Sequence, residues 1–301
     1  MDSLEYEDTK KWIKSFLLII LLLSIPTLLV PKIAFSVNQR FFSGILNHPQ
    51  AFGMTAAAAG AIYIGQIFFQ NKSKLLPVVI IIFCISLILV SGSRTAGMAL
   101  FSAVIISSLL FSMLIIRNIK LINFNKVKLI IILISFLLII ISIPSILDLT
   151  NIFMTKTEKI AADSIISAFK TSRAVLYGPI INNIIENPIK GIGFGLASDW
   201  LFMDIKYFIG IPVSAPVEKG VLPLAVLEEV GVFGLVFFIV WILLLVRCSI
   251  ANGFSDTIVL LTILLFNLGE AGLFSANGYG MLYLVLLTSA TTKPKLIKNT
   301  N

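Results

Sequence analysis

The chain has 301 residues, of which 58% are hydrophobic and only 13% are charged, and its mean hydropathy is +1.02. This balance excludes a soluble globular protein, because so many apolar side chains need lipid around them, and one histidine with two cysteines excludes an unaided zinc or iron–sulfur site. The formal charge of +8 does not indicate a nucleic-acid partner, because most lysines and arginines lie in short segments beside apolar runs, where they orient membrane helices.

Eight apolar windows predict eight transmembrane helices, since about 20 apolar residues span a bilayer. The windows are 12–30, 51–69, 75–90, 95–116, 127–147, 221–246, 257–268 and 278–291, and the last two are short. Lys10, Lys11 and Lys14 ahead of the first window suggest a signal peptide as an alternative. Pro31 and Lys32 follow that window without a good small-residue cleavage site, which favours a retained helix.

The distribution of basic residues predicts the orientation of the helices. With the N-terminus inside, the short inner segments hold thirteen basic residues, whereas the short outer segments hold only Lys32, Arg40 and Arg94. The thirteen are Lys10, Lys11, Lys14, Lys72, Lys74, Arg117, Lys120, Lys126, Lys128, Arg247, Lys293, Lys295 and Lys298. We therefore expect a multi-pass protein of the inner (plasma) membrane with both termini in the cytoplasm.

The predicted fold class is an all-α polytopic membrane protein. Its expected parts are five transmembrane helices in residues 1–147, an external segment in 148–220, three more transmembrane helices in 221–292 and a cytoplasmic tail in 293–301. The external segment begins with an amphipathic stretch from Lys156 and ends in a glycine-rich turn followed by aromatic residues typical of a membrane interface. It is expected to form a cap over the bundle.

Seven charged or titratable side chains are not explained by helix orientation, and all fall on the predicted outer face. They are Arg40, His48, Arg94, Arg173, Glu218, Lys219 and Glu270. Any one of them is explained equally well as an anchor at a helix end. Their shared side of the membrane is what indicates a site.

Arg94 is the most informative of these residues. Ser91-Gly92-Ser93 is typical of a helix cap, so Arg94 falls in the first turn of the fourth helix, where the dipole disfavours a cation. An anion shared between the guanidinium and the helix N-terminus explains this placement, as at many phosphate sites. The alternative is an arginine that extends to a lipid headgroup.

The other candidates each have two interpretations. Arg173, four residues before Tyr177, places a guanidinium beside a phenol or else lies on a solvated helix face. His48 is a general base or, more commonly, a structural cap. Glu218 is a helix-end carboxylate or a base.

Two further carboxylates, Glu228 and Glu229, lie inside the sixth apolar window and need a partner or a wet cavity. Structural hydrogen bonding is the expected role of Glu229, and the role of Glu270 stays open.

Four sequence blocks follow one another in order between Phe42 and Gly234. They are Phe42-Ser43-Gly44-Ile45 with His48-Pro49-Gln50-Ala51-Phe52-Gly53; Ser91-Gly92-Ser93-Arg94-Thr95-Ala96; Arg173 through Tyr177-Gly178-Pro179-Ile180-Ile181 to Glu186-Asn187-Pro188-Ile189-Lys190-Gly191-Ile192-Gly193-Phe194-Gly195; and Leu227-Glu228-Glu229-Val230-Gly231-Val232-Phe233-Gly234. In this order and spacing the chain resembles the O-antigen ligase and polysaccharide polymerase superfamily of bacterial envelopes, often called the Wzy-C family.

The resemblance implies a GT-C-like fold and a metal-independent glycosyl transfer on the outer membrane face. The implied partners are a polyprenyl-diphosphate-linked glycan, a glycan or lipid hydroxyl as acceptor, and membrane lipid, with no nucleotide or metal cofactor. The candidate diphosphate-binding residues are Arg94, Arg173, Arg40 and Lys219. The candidate catalytic residues are Glu218 and His48, with Glu270 and Tyr177 as further candidates.

The chain departs from the family pattern in two ways. Family ligases usually carry a His-Asn pair that would fall near Gly220 and Val221, and the histidine is not there. Either Glu218 replaces it, or His48 reaches the site, or this branch has a different activity. Members also commonly have additional helices ahead of the Phe42 block, so we expect a shortened member or part of a longer reading frame.

Two rival functions use the same features. A transporter or channel of lipid-linked or anionic solutes would use the external arginines as an entry site. Such a protein is expected to carry ionisable groups deep in several helices, whereas the charges here concentrate at helix ends. A non-catalytic scaffold in an envelope-assembly complex is the third hypothesis.

Overall fold

A computed structural model of the chain describes residues 3–35, 41–46, 48–69, 75–117, 177–196, 198–199, 206–208, 211–214, 219–274 and 278–292. The helices in these ranges are α1 (Ser3–Ser24), α2 (Pro31–Ala34), α3 (Pro49–Phe69), α4 (Leu75–Ser91), α5 (Arg94–Arg117), α6 (Leu222–Asn252), α7 (Phe254–Phe266) and α8 (Gly278–Thr291). A 3₁₀ turn, Ile25–Leu29, joins α1 to α2, and residues 177–186 are also helical. Strands β1 (Lys206–Phe208) and β2 (Ile211–Ser214) form a short antiparallel hairpin.

Within the described residues, four segments are long and apolar enough to cross a membrane: Tyr6–Leu29, Pro49–Phe68, Arg94–Leu114 and Leu222–Asn252. The protein is thus an α-helical membrane protein, as the composition predicted. The predicted fifth window, 127–147, lies outside the described residues, so the count of eight spans remains a prediction. Residues up to Ala103 and from Val175 onward form one compact unit, and Val104–Ala174 form a second, of which the structure describes only 104–117.

Helix α7 is the core of the larger unit. It has 13 residues and rises only about 20 Å, less than the roughly 30 Å hydrocarbon thickness of a bilayer. Ten of its residues are buried, because α3, α6 and α8 all pack against it. Protein, and not lipid, therefore surrounds this helix.

Helix α3 approaches its neighbours closely where its contact face consists of small residues. The run Ala56–Ala59 is essentially inaccessible, and a Cβ at Gly60 would lie 3.3 Å from the Leu100 side chain of α5. At Gly65, a Cβ would collide with Ser255 of α7. Small side chains are the usual means by which membrane helices bring their backbones together.

Helix α6 contains a sharp break at Gly231, where φ is +65° and ψ is −169°. The sequence predicted a sixth helix over 221–246, and the break at Gly231 inside it was not predicted. The residues before the break form a first leg, 222–230, and those after it a second leg, 232–252. On the second leg Val232, Phe233 and Phe237 are at least half exposed, which suits contact with lipid.

The first leg folds back toward the core. A straight helix of 31 residues would be about 46 Å long. However, the Leu222 amide donates to the Asn267 carbonyl at the far end of α7 (3.0 Å), while the other end of α6 meets the start of α7 at Gly253. Both ends of α6 thus lie next to the ends of a helix about 20 Å long. This is possible only if the chain reverses at Gly231.

We predict that Gly231→Ala destabilises the protein much more than Gly195→Ala. Both glycines have positive φ, which costs an L-residue about 1–2 kcal/mol, but a Cβ at Gly195 meets nothing within 4 Å. At Gly231 the new methyl group would collide with the Ile189 carbonyl, so we expect a loss of about 3 kcal/mol or more. Thermal unfolding in detergent micelles measures both, and equal losses would contradict the collision.

Candidate functional site

The helices bring sequence-distant segments together at one end of the bundle, which we call the Arg94 end. The Phe42 amide donates to the Val90 carbonyl (3.3 Å), and Gly53 packs directly on Ser93. The side-chain amide of Gln50 donates through Nε2 to Glu270 Oε1 (2.6 Å). The start of α3, the start of α5 and the loop after α7 are therefore joined here.

Arg94 is the first residue of α5, as the capping pattern predicted. Gly92 turns the chain with φ +60°, and the Ser91 hydroxyl accepts the Ser93 amide (3.3 Å) while donating to the Ile88 carbonyl (2.7 Å). Ser91 therefore stabilises the turn that ends α4 and leads into α5. The Ser93 hydroxyl is buried and has no hydrogen-bond partner among the residues described.

His48 directly precedes α3, and Glu270, in the loop after α7, contacts the first turn of that helix. The His48 Nδ1 accepts the backbone amide of Gln50 (3.2 Å), which is a capping arrangement, and Gln50 in turn donates to Glu270. His48 thus has a structural contact at a position where the sequence also allowed a base.

Lys219 is buried, with 4% of its side chain exposed, and its ammonium group pairs with two carboxylates. It lies 2.9 Å from Glu228 Oε2 and 3.0 Å from Glu229 Oε1. The sequence proposed Lys219 as a diphosphate ligand, but its charge is balanced within the protein. These contacts also supply the partners that the two carboxylates were predicted to need.

The same carboxylates attach residues 183–198 to α6. Asn183 Nδ2 donates to Glu228 Oε1 (2.7 Å), and the Ser198 hydroxyl donates to Glu228 Oε2 (2.9 Å). The Gly195 amide donates to Glu229 Oε2 (3.0 Å). We call Lys219, Asn183, Ser198 and the two glutamates the buried ion cluster.

The break at Gly231 provides the backbone half of this attachment. In a regular helix the Val232 amide would donate to the Glu228 carbonyl. Here it donates to the Pro188 carbonyl, and the Glu228 carbonyl accepts the Ile192 amide, both at 2.9 Å. The Gly193 amide likewise donates to the Glu229 carbonyl (2.9 Å), so the Val232 amide and the carbonyls of Glu228 and Glu229 all have partners outside the helix.

Asn267 connects the ion cluster to the Arg94 end. Its carbonyl accepts the Leu222 amide, and its side-chain Oδ1 accepts the amides of Gly272 and Leu273 (2.9 and 2.8 Å). The first leg of α6 and the loop that carries Glu270 are thereby joined. The sequence analysis missed Asn183, Ser198 and Asn267, although an amide inside an apolar window, as at Asn267, was a usable signal.

The structure describes only one of the four remaining candidate residues. Tyr177 begins the helical residues 177–186. Arg40, Arg173 and Glu218 lie outside the described residues, so their distances to Arg94 remain predictions. Among the residues that the structure does describe, no group of three histidine, cysteine or acidic side chains is positioned to hold a metal ion.

Comparison with protein-family models gives no match for this chain, and comparison with curated proteins gives none either.

We predict that Lys219→Met costs about 3–5 kcal/mol of stability, because it leaves the buried Glu228 and the partly buried Glu229 without their cation. Adding Glu228→Gln to Lys219→Met removes one of those charges and is expected to recover part of the loss. Lys32→Met, at an exposed lysine, serves as the control and should change stability by no more than about 0.5 kcal/mol. Thermal unfolding of the purified variants tests this, and equal effects of Lys219→Met and Lys32→Met would contradict it.

Proposed function

We propose that this protein is an envelope glycosyltransferase, an O-antigen ligase or polysaccharide polymerase, which transfers a glycan from a polyprenyl-diphosphate carrier to a glycan or lipid hydroxyl. The observation that carries the proposal is that the four sequence blocks contact one another in two pairs, and that both pairs also contact the loop after α7. The first two blocks join through Gly53 and Ser93, and the last two through Pro188, Glu228 and their neighbours. Such a convergence is what a shared site requires, and the resemblance supplies the chemistry.

Arg94 supports the proposal through its position. It lies at the N-terminus of the 24-residue helix α5, where the helix dipole and a guanidinium both favour an anion. As the glycosidic bond to the carrier breaks, negative charge grows on the diphosphate leaving group. A fixed cation lowers the energy of that transition state more than that of the bound substrate. Arg173 would be a second cation for the same group.

The acceptor hydroxyl must lose a proton as it attacks the sugar. We assign this role to Glu218, which directly precedes Lys219 of the ion cluster, and keep His48 as the alternative base. We assign the ion cluster the role of positioning the chain, because it attaches Asn183 and Ser198 to α6 and its carboxylates neutralise Lys219. No step in this scheme uses a nucleotide or a metal.

The proposal is tested with the purified protein in liposomes that contain a polyprenyl-diphosphate oligosaccharide and an acceptor glycan. We expect release of polyprenyl diphosphate with a lengthened or transferred glycan. Arg94→Ala should lower kcat/KM by about 100-fold or more, the typical effect of removing a group that stabilises transition-state charge. Arg173→Ala should act in the same direction, and a Glu218→Gln variant with full turnover would remove Glu218 as the base.

Arg247→Ala is the matched control, because Arg247 is an exposed arginine near the opposite end of α6 and should leave turnover unchanged. Movement of the glycan across the membrane without bond cleavage would instead favour the transporter. Binding of the carrier with neither movement nor cleavage would favour the scaffold.

A further inference from the structure

The end of the bundle opposite Arg94 contains a cavity of about 370 Å³ between α1, α3, α7 and α8, whose lining includes both apolar and charged side chains. We call it the Lys14 cavity. Three lysines, Lys10, Lys11 and Lys14, line it together with Gln66 and with hydroxyl groups from α7 and α8. The proposed glycosyl transfer makes no use of these groups, and the cavity is independent of that proposal.

Two of the three lysines have carboxylate partners. Lys10 Nζ lies 2.7 and 2.9 Å from the two oxygens of Asp256, whose side chain is only 10% exposed. This pair is neutral as a unit. Lys11 contacts Asp8 at 3.0 Å, but both side chains are about 70% exposed, so the contact is weak.

Lys14 differs from both, because its partners are neutral. Its ammonium group donates to Gln66 Oε1 (3.1 Å) and lies 4.7 Å from the centre of the Tyr63 ring, which is 3% exposed. Among the described residues, no carboxylate pairs with it. A half-buried cation within a candidate membrane span is unfavourable unless an anion joins it.

The other polar groups of the cavity are donors that suit such an anion. With Oε1 occupied by Lys14, Gln66 presents its NH₂ group as a donor. The hydroxyls of Ser255 and Ser289 also line the cavity, and neither has a hydrogen-bond partner among the residues that the structure describes. One cation and three neutral donors are a suitable set for phosphate oxygens.

We propose that the Lys14 cavity binds a phosphate group, with Lys14 as its principal cation and Gln66, Ser255 and Ser289 as neutral donors. On the predicted topology this end faces the cytoplasm, where anionic lipid headgroups are concentrated and basic pockets between helices bind them. The phosphate of an anionic phospholipid and free inorganic phosphate share this chemistry. Glu7 also lines the cavity and opposes binding by repulsion, which makes its removal informative.

The test measures phosphatidylglycerol binding to the purified full chain in detergent by native mass spectrometry and by the rise in Tm, with phosphatidylcholine and inorganic phosphate as comparison ligands. Lys14→Gln is expected to weaken phosphatidylglycerol binding at least tenfold, whereas Glu7→Gln should strengthen it. Lys14→Arg keeps the charge and should bind as the natural chain does. Lys32→Gln removes an exposed lysine outside the cavity and should have no effect.

The outcomes separate the sources of the phosphate. If inorganic phosphate raises Tm with the same variant pattern and phosphatidylglycerol does not, the cavity takes free phosphate. If neither ligand binds, or if Lys14→Gln and Lys32→Gln behave alike, the proposal is overturned. Glu7→Gln keeps the test decisive should Lys14→Gln fail to fold, because improved binding cannot come from loss of structure.

Discussion

The exchange of hydrogen bonds at Gly231 is the constraint on which the rest of the structure depends. Inside a bilayer an unpaired backbone group costs several kcal/mol, so a helix can break there only if another segment completes its hydrogen bonds. Residues 188–193 do this by accepting the Val232 amide and donating to the carbonyls of Glu228 and Glu229. The attachment of residues 188–193 to α6 and the reversal of α6 therefore depend on the same hydrogen bonds.

The buried ion cluster makes this exchange specific. Transferring a cation and two carboxylates from water to a nearly inaccessible site costs free energy. The cluster therefore contributes mainly by fixing one arrangement of the chain. Glu228 has three side-chain donors, from Lys219, Asn183 and Ser198, each belonging to a different part of the sequence. A shifted register would leave at least one of these groups unpaired. The polar interactions at the proposed active end thus act first on structure, and through structure on the position of the reacting groups.

The sequence predicted the helices well where hydropathy alone determines them. The windows 51–69, 75–90 and 95–116 differ by at most two residues at either end from α3, α4 and α5, and the position of Arg94 at a helix start followed from its capping residues. The capping of α3 by His48 was the more common of its two sequence interpretations. What could not be predicted was that Lys219 neutralises Glu228 and Glu229, and that α6 reverses at Gly231. Periodicity records neither, because the pairing of Lys219 depends on how the chain enters α6 and the reversal depends on hydrogen bonds to the distant residues 188–193. The catalytic assignment rests on the resemblance and on the convergence of the four blocks, and remains a prediction.

The short length of α7 has a consequence for the geometry of the Arg94 end. The second leg of α6 rises about 32 Å from Gly253, whereas α7 rises only about 20 Å from the same point. The bundle therefore ends in a step, with Asn267 as its floor and Gly231 at its rim, roughly 10 Å apart in height. The first leg of α6, which is about 14 Å long, runs from Gly231 back to Asn267 and spans this difference in height, so the glutamates of the ion cluster lie between the two levels.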